Sequence, residues 1–476
     1  MKQSGVLLHI SSLETEFGIG DVGPAAYRFA EYLQQNGHNV WQILPLNLPG
    51  YGDSPYNPVS AFALNEYLIS PELLVADGWL RESELIRLPK SDRVDYPSVY
   101  KAKDAMHRLA AERYLAQYWI KGFIDEHAEM LKPYLCFIWL CHRYGNSEWF
   151  TWDAQHRTFS DDLFDQCADD PYVQRAAALQ AIVWDQLSRL KAKLNELDII
   201  LFGDLPLYLS YESAEVWAFQ SLFDLDENGN RLSMAGVPPD AFAEGGQLWG
   251  NPTYLWERLK RDDFRLFIDR IAHSLQYMDM LRLDHFIGYI NFWKVPCPLG
   301  VAPETAANGS WVRALPEEFF ARLRDTLGTD RFVAEDLGIL NPDVCRIRDE
   351  LGLPGMIVLQ FCFEESVPIV TEYPTDRLIY TGTHDNNTTR GWWDDLPSNS
   401  SSRQNMIEYC KLYLDGIAPE SSNIADIMRR IADQSACQRM IFPMQDILGL
   451  DALSRMNIPG TALGNWQWRI FSKSNP

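Results

Sequence analysis

The sequence lacks long apolar runs and any excess of positive charge. No stretch reaches the ~18 apolar residues of a membrane-spanning helix, and the N-terminus has no signal-length apolar core. There are 42 lysines and arginines against 65 aspartates and glutamates, a net charge of −23. Nucleic-acid binding needs a basic surface. The balance therefore argues against nucleic-acid, membrane and polyanionic partners and leaves neutral ligands open.

Cysteines are few, and cofactor motifs are missing. Of the eight cysteines only Cys136 and Cys141 lie close together, within an apolar stretch. Zinc sites use tighter, matched pairs, so we expect free thiols, no metal and a cytoplasmic location. Residues 18–23 match G-x-G-x-x-G, but no acidic residue ends the next apolar run, as dinucleotide binding requires. We expect this loop to cap a helix and expect no cofactor.

Eight short apolar runs recur along the chain. Strands buried on both faces of a parallel sheet have this pattern, and amphipathic helical patterns follow several of the runs, as at Pro24–Asn36 and Glu317–Leu327. The predicted strands are Gly5–Ile10, Val40–Pro45, Ile199–Pro206, Met278–His285, Arg331–Asp336, Met356–Phe363, Leu378–His384 and Arg439–Gln445. Alternating strands and helices predict an α/β fold, a (β/α)8 TIM barrel.

The spacing of the predicted strands is uneven, which indicates large, mainly helical insertions. Helical patterns such as Lys101–Gly122 and Tyr172–Leu197 lie between the second and third strands. We therefore expect residues 1–60 and 198–476 to form the barrel and residues 61–197 to form a mainly helical insertion. A second inserted subdomain of loops and helices is expected at residues 210–277.

Acidic residues stand at the carboxyl ends of four predicted strands. They are Asp204, Asp284, Glu335 and Asp385. Any one of them alone would more simply be a surface or helix-capping carboxylate. Active sites of barrel enzymes collect at this rim, so we expect the four acids to face one pocket.

Carboxylates paired at a barrel rim indicate cleavage of glycosidic bonds. A retaining mechanism uses two carboxylates ~5–5.5 Å apart: one attacks the anomeric carbon, and the other protonates the leaving oxygen. Arg282 points to the same side of its strand as Asp284 and would keep this nucleophile ionised. Like-charge neighbours would raise the pKa of Glu335, the acid/base. Asp385 would support the transition-state charge, while the histidines beside Asp284 and Asp385 are either sugar ligands or satisfied rim residues.

Aromatic residues on loops surround the same rim. The turn at 50–56 carries Tyr51, Ser54 and Tyr56, and Trp249 stands between turn residues. Two interpretations are open: ordinary loop and core chemistry, or a platform on which sugar rings stack. Their position above a carboxylate-rich rim favours the platform.

At these residues the sequence closely resembles the amylomaltase family of 4-α-glucanotransferases, also called disproportionating enzymes. The matching stretches are 5–9, 50–56, 60–63, 203–207, 213–217, 235–240, 249–252, 282–286, 334–338, 383–386, 459–461 and 465–466. They run nearly from end to end, whereas unrelated barrel glycosidases share only the carboxylate positions. The resemblance is therefore specific.

The resemblance implies a role for each matched residue. Asp284 matches the nucleophile, Glu335 the acid/base and Asp385 the transition-state stabiliser. The implied substrate-binding residues are Tyr56, Asp204, Arg282 and His384 at the cleaved sugar, Asp240 in a loop over the acceptor side, Trp249 and His285 in the cleft nearby, and Tyr51 at a secondary glucan contact, with Ser54 in the same turn. The family works without a metal or organic cofactor.

The expected reaction is transfer of a segment of an α-1,4-glucan to the 4-hydroxyl of another glucan or of glucose, through a covalent glycosyl-enzyme intermediate. Maltooligosaccharides are the expected donors. The nearest alternative is an α-amylase-type hydrolase with the same carboxylates. A non-catalytic glucan-binding protein would have little need for three acids beside Arg282, and a phosphorylase would need a phosphate site that the sequence does not show.

Overall fold

The computed structural model describes residues 2–239, 244–338 and 341–471. Its strands, in chain order, are β1 (Gln3–Leu7), β2 (Val40–Gln42), β3 (Ile200–Leu205), β4 (Ser233–Val237), β5 (Gln247–Pro252), β6 (Met280–Leu283), β7 (Asn291–Pro296), β8 (Ser310–Arg313), β9 (Phe332–Ala334), β10 (Met356–Val358), β11 (Leu378–Tyr380) and β12 (Arg439–Pro443). Eight of them form one parallel sheet in the order β10-β11-β12-β1-β2-β3-β6-β9.

This sheet closes into a barrel. The backbone N–H of Ala334, in β9, donates to the carbonyl of Pro354 at 2.8 Å, just before β10. The chain therefore returns from the last strand of the sheet to the first. The predicted α/β barrel and the positions of its eight strands are confirmed, although most strands end several residues earlier than their apolar runs.

Helices surround the barrel and fill its connections. They are α1 (Pro24–Gln35), α2 (Pro71–Ala76), α3 (Tyr96–Leu115), α4 (Ile120–Glu126), α5 (Ala128–Tyr144), α6 (Asp161–Cys167), α7 (Pro171–Glu196), α8 (Ala214–Ala218), α9 (Trp256–Arg261), α10 (Arg265–Ser274), α11 (Pro316–Leu327), α12 (Pro342–Glu350), α13 (Leu359–Cys362), α14 (Thr389–Asp395), α15 (Ser401–Tyr413), α16 (Ile424–Gln434) and α17 (Met444–Ile447). Pro24 opens α1 at a position whose N–H would have no helical partner. Phe29 then packs its ring 4.8 Å from Trp41 of β2.

The long connection between β2 and β3 is helical, as the sequence predicts. It contains α2 to α7, and its longest member, α7, packs against both α3 and α5. The buried side chains of Trp149 and Trp152 in this connection belong to the same apolar cluster as barrel residues such as Trp41 and Phe202. The connection and the barrel therefore share one continuous core.

A second sheet was not predicted. Strands β4, β5, β7 and β8 pair antiparallel in the order β5-β4-β7-β8. It draws on residues 233–313 and so extends beyond the expected inserted segment at 210–277. Because β4 and β5 follow β3 while β7 and β8 follow β6, the sheet grows from the carboxyl ends of two barrel strands.

None of the helices in the described part of the chain is long and apolar enough to cross a membrane. All eight cysteines lie in described segments, and each is a free thiol. Five of them are buried. The expectation of free thiols is therefore confirmed.

Candidate active site

The register of three barrel strands brings the acids together. Asp204 in β3 pairs with Arg282 in β6, and Leu283 of β6 pairs with Ala334 of β9. Neighbouring strands lie about 4.7–4.9 Å apart. Asp284 and Glu335, the residues after that last pair, therefore emerge side by side at the rim.

Arg282 is buried at the centre of the site and donates hydrogen bonds to two carboxylates. Its Nη1 donates to both carboxylate oxygens of Asp204, at 2.9 and 2.8 Å, and to Oδ1 of Asp284 at 2.7 Å. The Tyr56 hydroxyl completes the group by donating to Asp204 at 2.7 Å. The Asp204 side chain has no exposed surface, whereas 25% of the Asp284 side chain is exposed. Asp204 thus anchors the arginine, and Asp284 stays within reach of a substrate.

The chain bends sharply after Asp284, and this bend holds Glu335. His285 has a left-handed backbone, with φ of 50°, a conformation that few non-glycine residues adopt. Its N–H donates to Oε2 of Glu335 at 2.9 Å, and the N–H of Leu337 donates to Oε1 at 3.2 Å. These two backbone hydrogen bonds hold the Glu335 carboxylate beside the peptide group that directly follows Asp284.

Burial dominates the electrostatics of this pair. It raises the pKa of Glu335 to about 8 and that of Asp284 to about 7, and Arg282 opposes the rise in both pKa values. The direct contact between Arg282 and Asp284 favours charge on Asp284. A proton held by the pair therefore favours Glu335, and the negative charge favours Asp284. This division suits an acid and a nucleophile.

Asp385 is held by a segment that no sequence motif predicts. Its Oδ1 accepts from Nδ2 of Asn457 at 2.6 Å, and its backbone carbonyl accepts from Arg455 at 2.7 Å. Nε2 of His384 lies 3.4 Å from Oδ2 of Asp385. Neither Asn457 nor Arg455 stands in a recognisable motif, and both are about 70 residues from their partner. No sequence signal would have identified them.

Aromatic rings flank the carboxylates. Tyr56 stacks on His384 with ring centroids 5.2 Å apart and an interplanar angle of 13°. Trp249 meets His285 edge to face at 4.7 Å. Both aromatic residues are partly exposed. The two histidines therefore have aromatic neighbours that could also contact a sugar ring.

The remaining predicted residues lie at the margin of the site or outside the described residues. Ser54 accepts a hydrogen bond from the N–H of Tyr56 at 3.3 Å and so helps to shape the turn. Tyr51 is 74% exposed at the protein surface. Asp240 lies outside the described residues. Among the residues that the structure describes, no cluster of three or more histidines, cysteines and acids could hold a metal ion.

Comparison with known proteins agrees with this geometry. A family model described as 4-alpha-glucanotransferase matches residues 8–473. A 4-alpha-glucanotransferase of Synechocystis is 39% identical, over 98% of this chain and 93% of that protein. One from Aquifex aeolicus is 36% identical, over 99% of this chain and 96% of that protein.

Solved structures give the same result. The amylomaltase from Streptococcus agalactiae in complex with acarbose is 32% identical and superimposes with a TM-score of 0.92, over 99% of this chain and 96% of that one. An amylomaltase from Corynebacterium glutamicum shares the fold, with a TM-score of 0.75 at 19% identity, over 98% of this chain and 71% of that one. These matches cover nearly the whole chain. The chain belongs to the 4-alpha-glucanotransferase family.

Proposed function

We propose that this 4-alpha-glucanotransferase acts on maltooligosaccharides and longer α-1,4-glucans through Asp284, Glu335 and Asp385. In the first step Asp284 attacks C1 of the donor glucan while Glu335 protonates the oxygen of the departing chain. The C1–O4 bond breaks, and an ester bond forms between C1 and Asp284. The departing chain leaves with a free 4-hydroxyl.

In the second step the 4-hydroxyl of another glucan, or of glucose, enters the acceptor side. Glu335, now ionised, takes the hydroxyl proton as the oxygen attacks C1 and the ester bond breaks. A new α-1,4 bond forms, and both carboxylates return to their starting states. Because the same type of bond is broken and made, the transfer needs no external energy source and no cofactor.

The other predicted residues support these steps in the proposal. The half-exposed carboxylate of Asp385 would stabilise positive charge on the sugar ring in the transition state. His384, Tyr56, Asp204 and Arg282 would surround the sugar being cleaved. Trp249 and His285 would line the acceptor side together with Asp240, Tyr51 would contact glucan at the surface, and Ser54 would shape the turn that carries Tyr51 and Tyr56.

One observation supports the proposal most strongly. Arg282 donates a hydrogen bond to Asp284, whereas the two oxygens of Glu335 accept from the backbone N–H groups of His285 and Leu337. Two adjacent carboxylates thus have different electrostatic surroundings, as a nucleophile and an acid require.

The direct test is incubation of the purified enzyme with maltotriose alone. Transfer produces glucose together with a ladder of longer oligosaccharides. Simple shortening to maltose and glucose, without longer products, would favour the hydrolase alternative. An Asp284→Asn variant controls for contaminating activities and should form neither set of products.

We also propose a domain organisation for the chain and a location in the cell. Residues 1–60 and 198–476 would form the catalytic domain, with the subdomain at 210–277, and residues 61–197 would form the helical insertion. The free thiols favour a cytoplasmic location. No nucleic-acid or membrane partner is proposed.

A further inference from the structure

His9 is a buried histidine directly behind the proposed site. It follows β1, and only 8% of its surface is exposed. Its Nδ1 is enclosed and has no hydrogen-bond partner among the described residues. An enclosed polar atom without a partner is unusual in a folded protein, because leaving it unsatisfied costs about 1–3 kcal/mol.

A small cavity lies between this histidine and His384. Its volume is about 20 Å³, and His9 and His384 both line it. Such a volume suffices for one water molecule, which needs at least two polar partners. The two imidazoles can provide them. Two further polar side chains line the cavity: Ser12 donates to the carbonyl of Trp468, and Gln445 donates to the carbonyl of Ser454.

We propose that His9 is a positioning residue for the transferase reaction and acts on His384 through one water molecule in this cavity. The water connects Nδ1 of His9 to the ring of His384. By donating to this ring, the water stabilises the tautomer of His384 that has hydrogen on Nε2. The inference rests on the proposed role of His384 at the cleaved sugar.

The charge states of the two rings support this link. Burial lowers the pKa of His9 to about 3 and also lowers the pKa of His384. Both rings are therefore neutral near pH 7, and a neutral imidazole has one donor and one acceptor. The hydrogen bond at one nitrogen selects the tautomer of the ring. The Asp385 carboxylate, 3.4 Å from Nε2 of His384, favours hydrogen on that nitrogen. A bridging water that donates to the other ring nitrogen favours the same tautomer.

Two substitutions of His9 distinguish the loss of its hydrogen bond from a change in packing. His9→Asn keeps a polar atom at the δ position, whereas His9→Leu places a methyl group there. With maltotriose as substrate we expect kcat of His9→Leu to fall about 10-fold with KM changed less than about 2-fold, since orientation rather than binding is lost. His9→Asn should retain kcat within about 3-fold of wild type. Equal kcat values for the two variants would overturn the proposal.

A spectroscopic measurement gives a readout that packing alone would not change. In protein labelled with ¹⁵N-histidine, the signals of His384 are identified by their loss in His384→Gln. We expect one neutral tautomer, with hydrogen on Nε2, in wild type and in His9→Asn, and a mixture of tautomers in His9→Leu. An unchanged tautomer in His9→Leu would overturn the proposal. This readout needs no turnover, so it fails or succeeds independently of the proposed function.

A high-resolution crystal structure of the wild-type enzyme decides the case if a variant does not fold. The expected result is a water within hydrogen-bond distance of both imidazoles. An empty cavity would overturn the proposal. So would a water found only in the neighbouring cavity of about 20 Å³, which His9, Asn47, Asp53 and Asn65 line and His384 does not.

Discussion

One guanidinium serves two carboxylates of different function. A single nitrogen of Arg282, Nη1, donates both to the fully buried Asp204 and to the accessible Asp284. Removing either partner of a buried ion pair leaves an uncompensated charge. The proposed nucleophile, Asp284, therefore depends on Asp204, whose side chain is too deeply buried to react itself.

The pKa values of the acid pair predict a bell-shaped pH profile. As the pH falls below about 7, Asp284 becomes protonated and kcat/KM decreases. As the pH rises above about 8, Glu335 loses its proton and kcat/KM decreases again. The measurement is kcat/KM for maltotriose between pH 5 and pH 10, which reports the free enzyme.

A second donor tests whether Glu335 causes the decrease in kcat/KM at high pH. A maltooligosyl fluoride donor releases fluoride, which needs no proton from the enzyme. With this donor, Glu335→Gln should lose the decrease in rate at high pH. If the decrease persists in that variant, a group other than Glu335 causes it.

Asn457 should matter for catalysis more than for substrate binding. Its amide orients Asp385 through a 2.6 Å hydrogen bond. We expect Asn457→Ala to lower kcat about 10-fold and to leave the melting temperature within about 2 °C of wild type. An exposed asparagine, Asn399, provides the control, and Asn399→Ala should have wild-type kcat. A wild-type kcat for Asn457→Ala would show that Asp385 needs no such support.

At the level of the elements, close packing beside the site limits what the strands can contain. A Cβ atom on Gly203, the residue before Asp204 in β3, would overlap the sulfur of Met278. We expect Gly203→Ala to reduce the free energy of unfolding by about 1–3 kcal/mol. Gly245→Ala is the control, because Gly245 is exposed and an added Cβ would make only an ordinary 3.4 Å contact with Thr305. Chemical denaturation of both variants is the measurement, and equal stabilities would contradict the packing argument.

The barrel could be predicted from the sequence because its strands are buried on both faces. Each strand therefore leaves a continuous apolar run. The ends of the strands could not be read in the same way. The run Met356–Phe363 stays mainly apolar although the strand stops at Val358, because Leu359 in the short helix that follows, and Phe363 at its end, are also buried. Periodicity does not separate a buried strand from a buried helical turn in so short a run.

The antiparallel sheet could not be predicted because its strands contain residues typical of turns. Gly236 lies in β4, and Gly250 and Pro252 lie in β5. These residues suggest loops. The pairing of β4 with β7 joins segments about 60 residues apart, and no local pattern records such a contact.

Part of the site could be predicted from the sequence because it depends on the barrel topology. Asp284, Glu335 and Asp204 stand at strand ends, so the barrel topology alone places them together. Their hydrogen-bond partners could be predicted only where they share a strand, as Arg282 does with Asp284. Asn457 and Arg455 reach Asp385 from a segment after β12, and only the folded chain shows that approach.

At the scale of the whole molecule, the helical connection and the barrel depend on each other. Their tryptophans and phenylalanines lie in one continuous apolar cluster, so separating the two would expose a large apolar area to water. The connection therefore contributes to the stability of the barrel that carries the acids.

Metal removal should have no effect on this enzyme. The proposed steps use only side chains and the two glucans. We expect dialysis against EDTA to leave transfer from maltotriose unchanged, within about 10% of an undialysed control in the same product assay. Loss of activity that calcium or magnesium restores would contradict the proposed chemistry.

The central claim is that Asp284 carries the glucan between donor and acceptor. The most direct test is mass spectrometry of the Glu335→Gln variant after reaction with a maltooligosyl fluoride and no acceptor. The donor can still form the ester, but the variant lacks the base that would help an acceptor remove it. We predict a mass increase of one glycosyl chain on the peptide that contains Asp284, and none in Asp284→Asn/Glu335→Gln. Label on another residue, or the same label in the double variant, would contradict the mechanism.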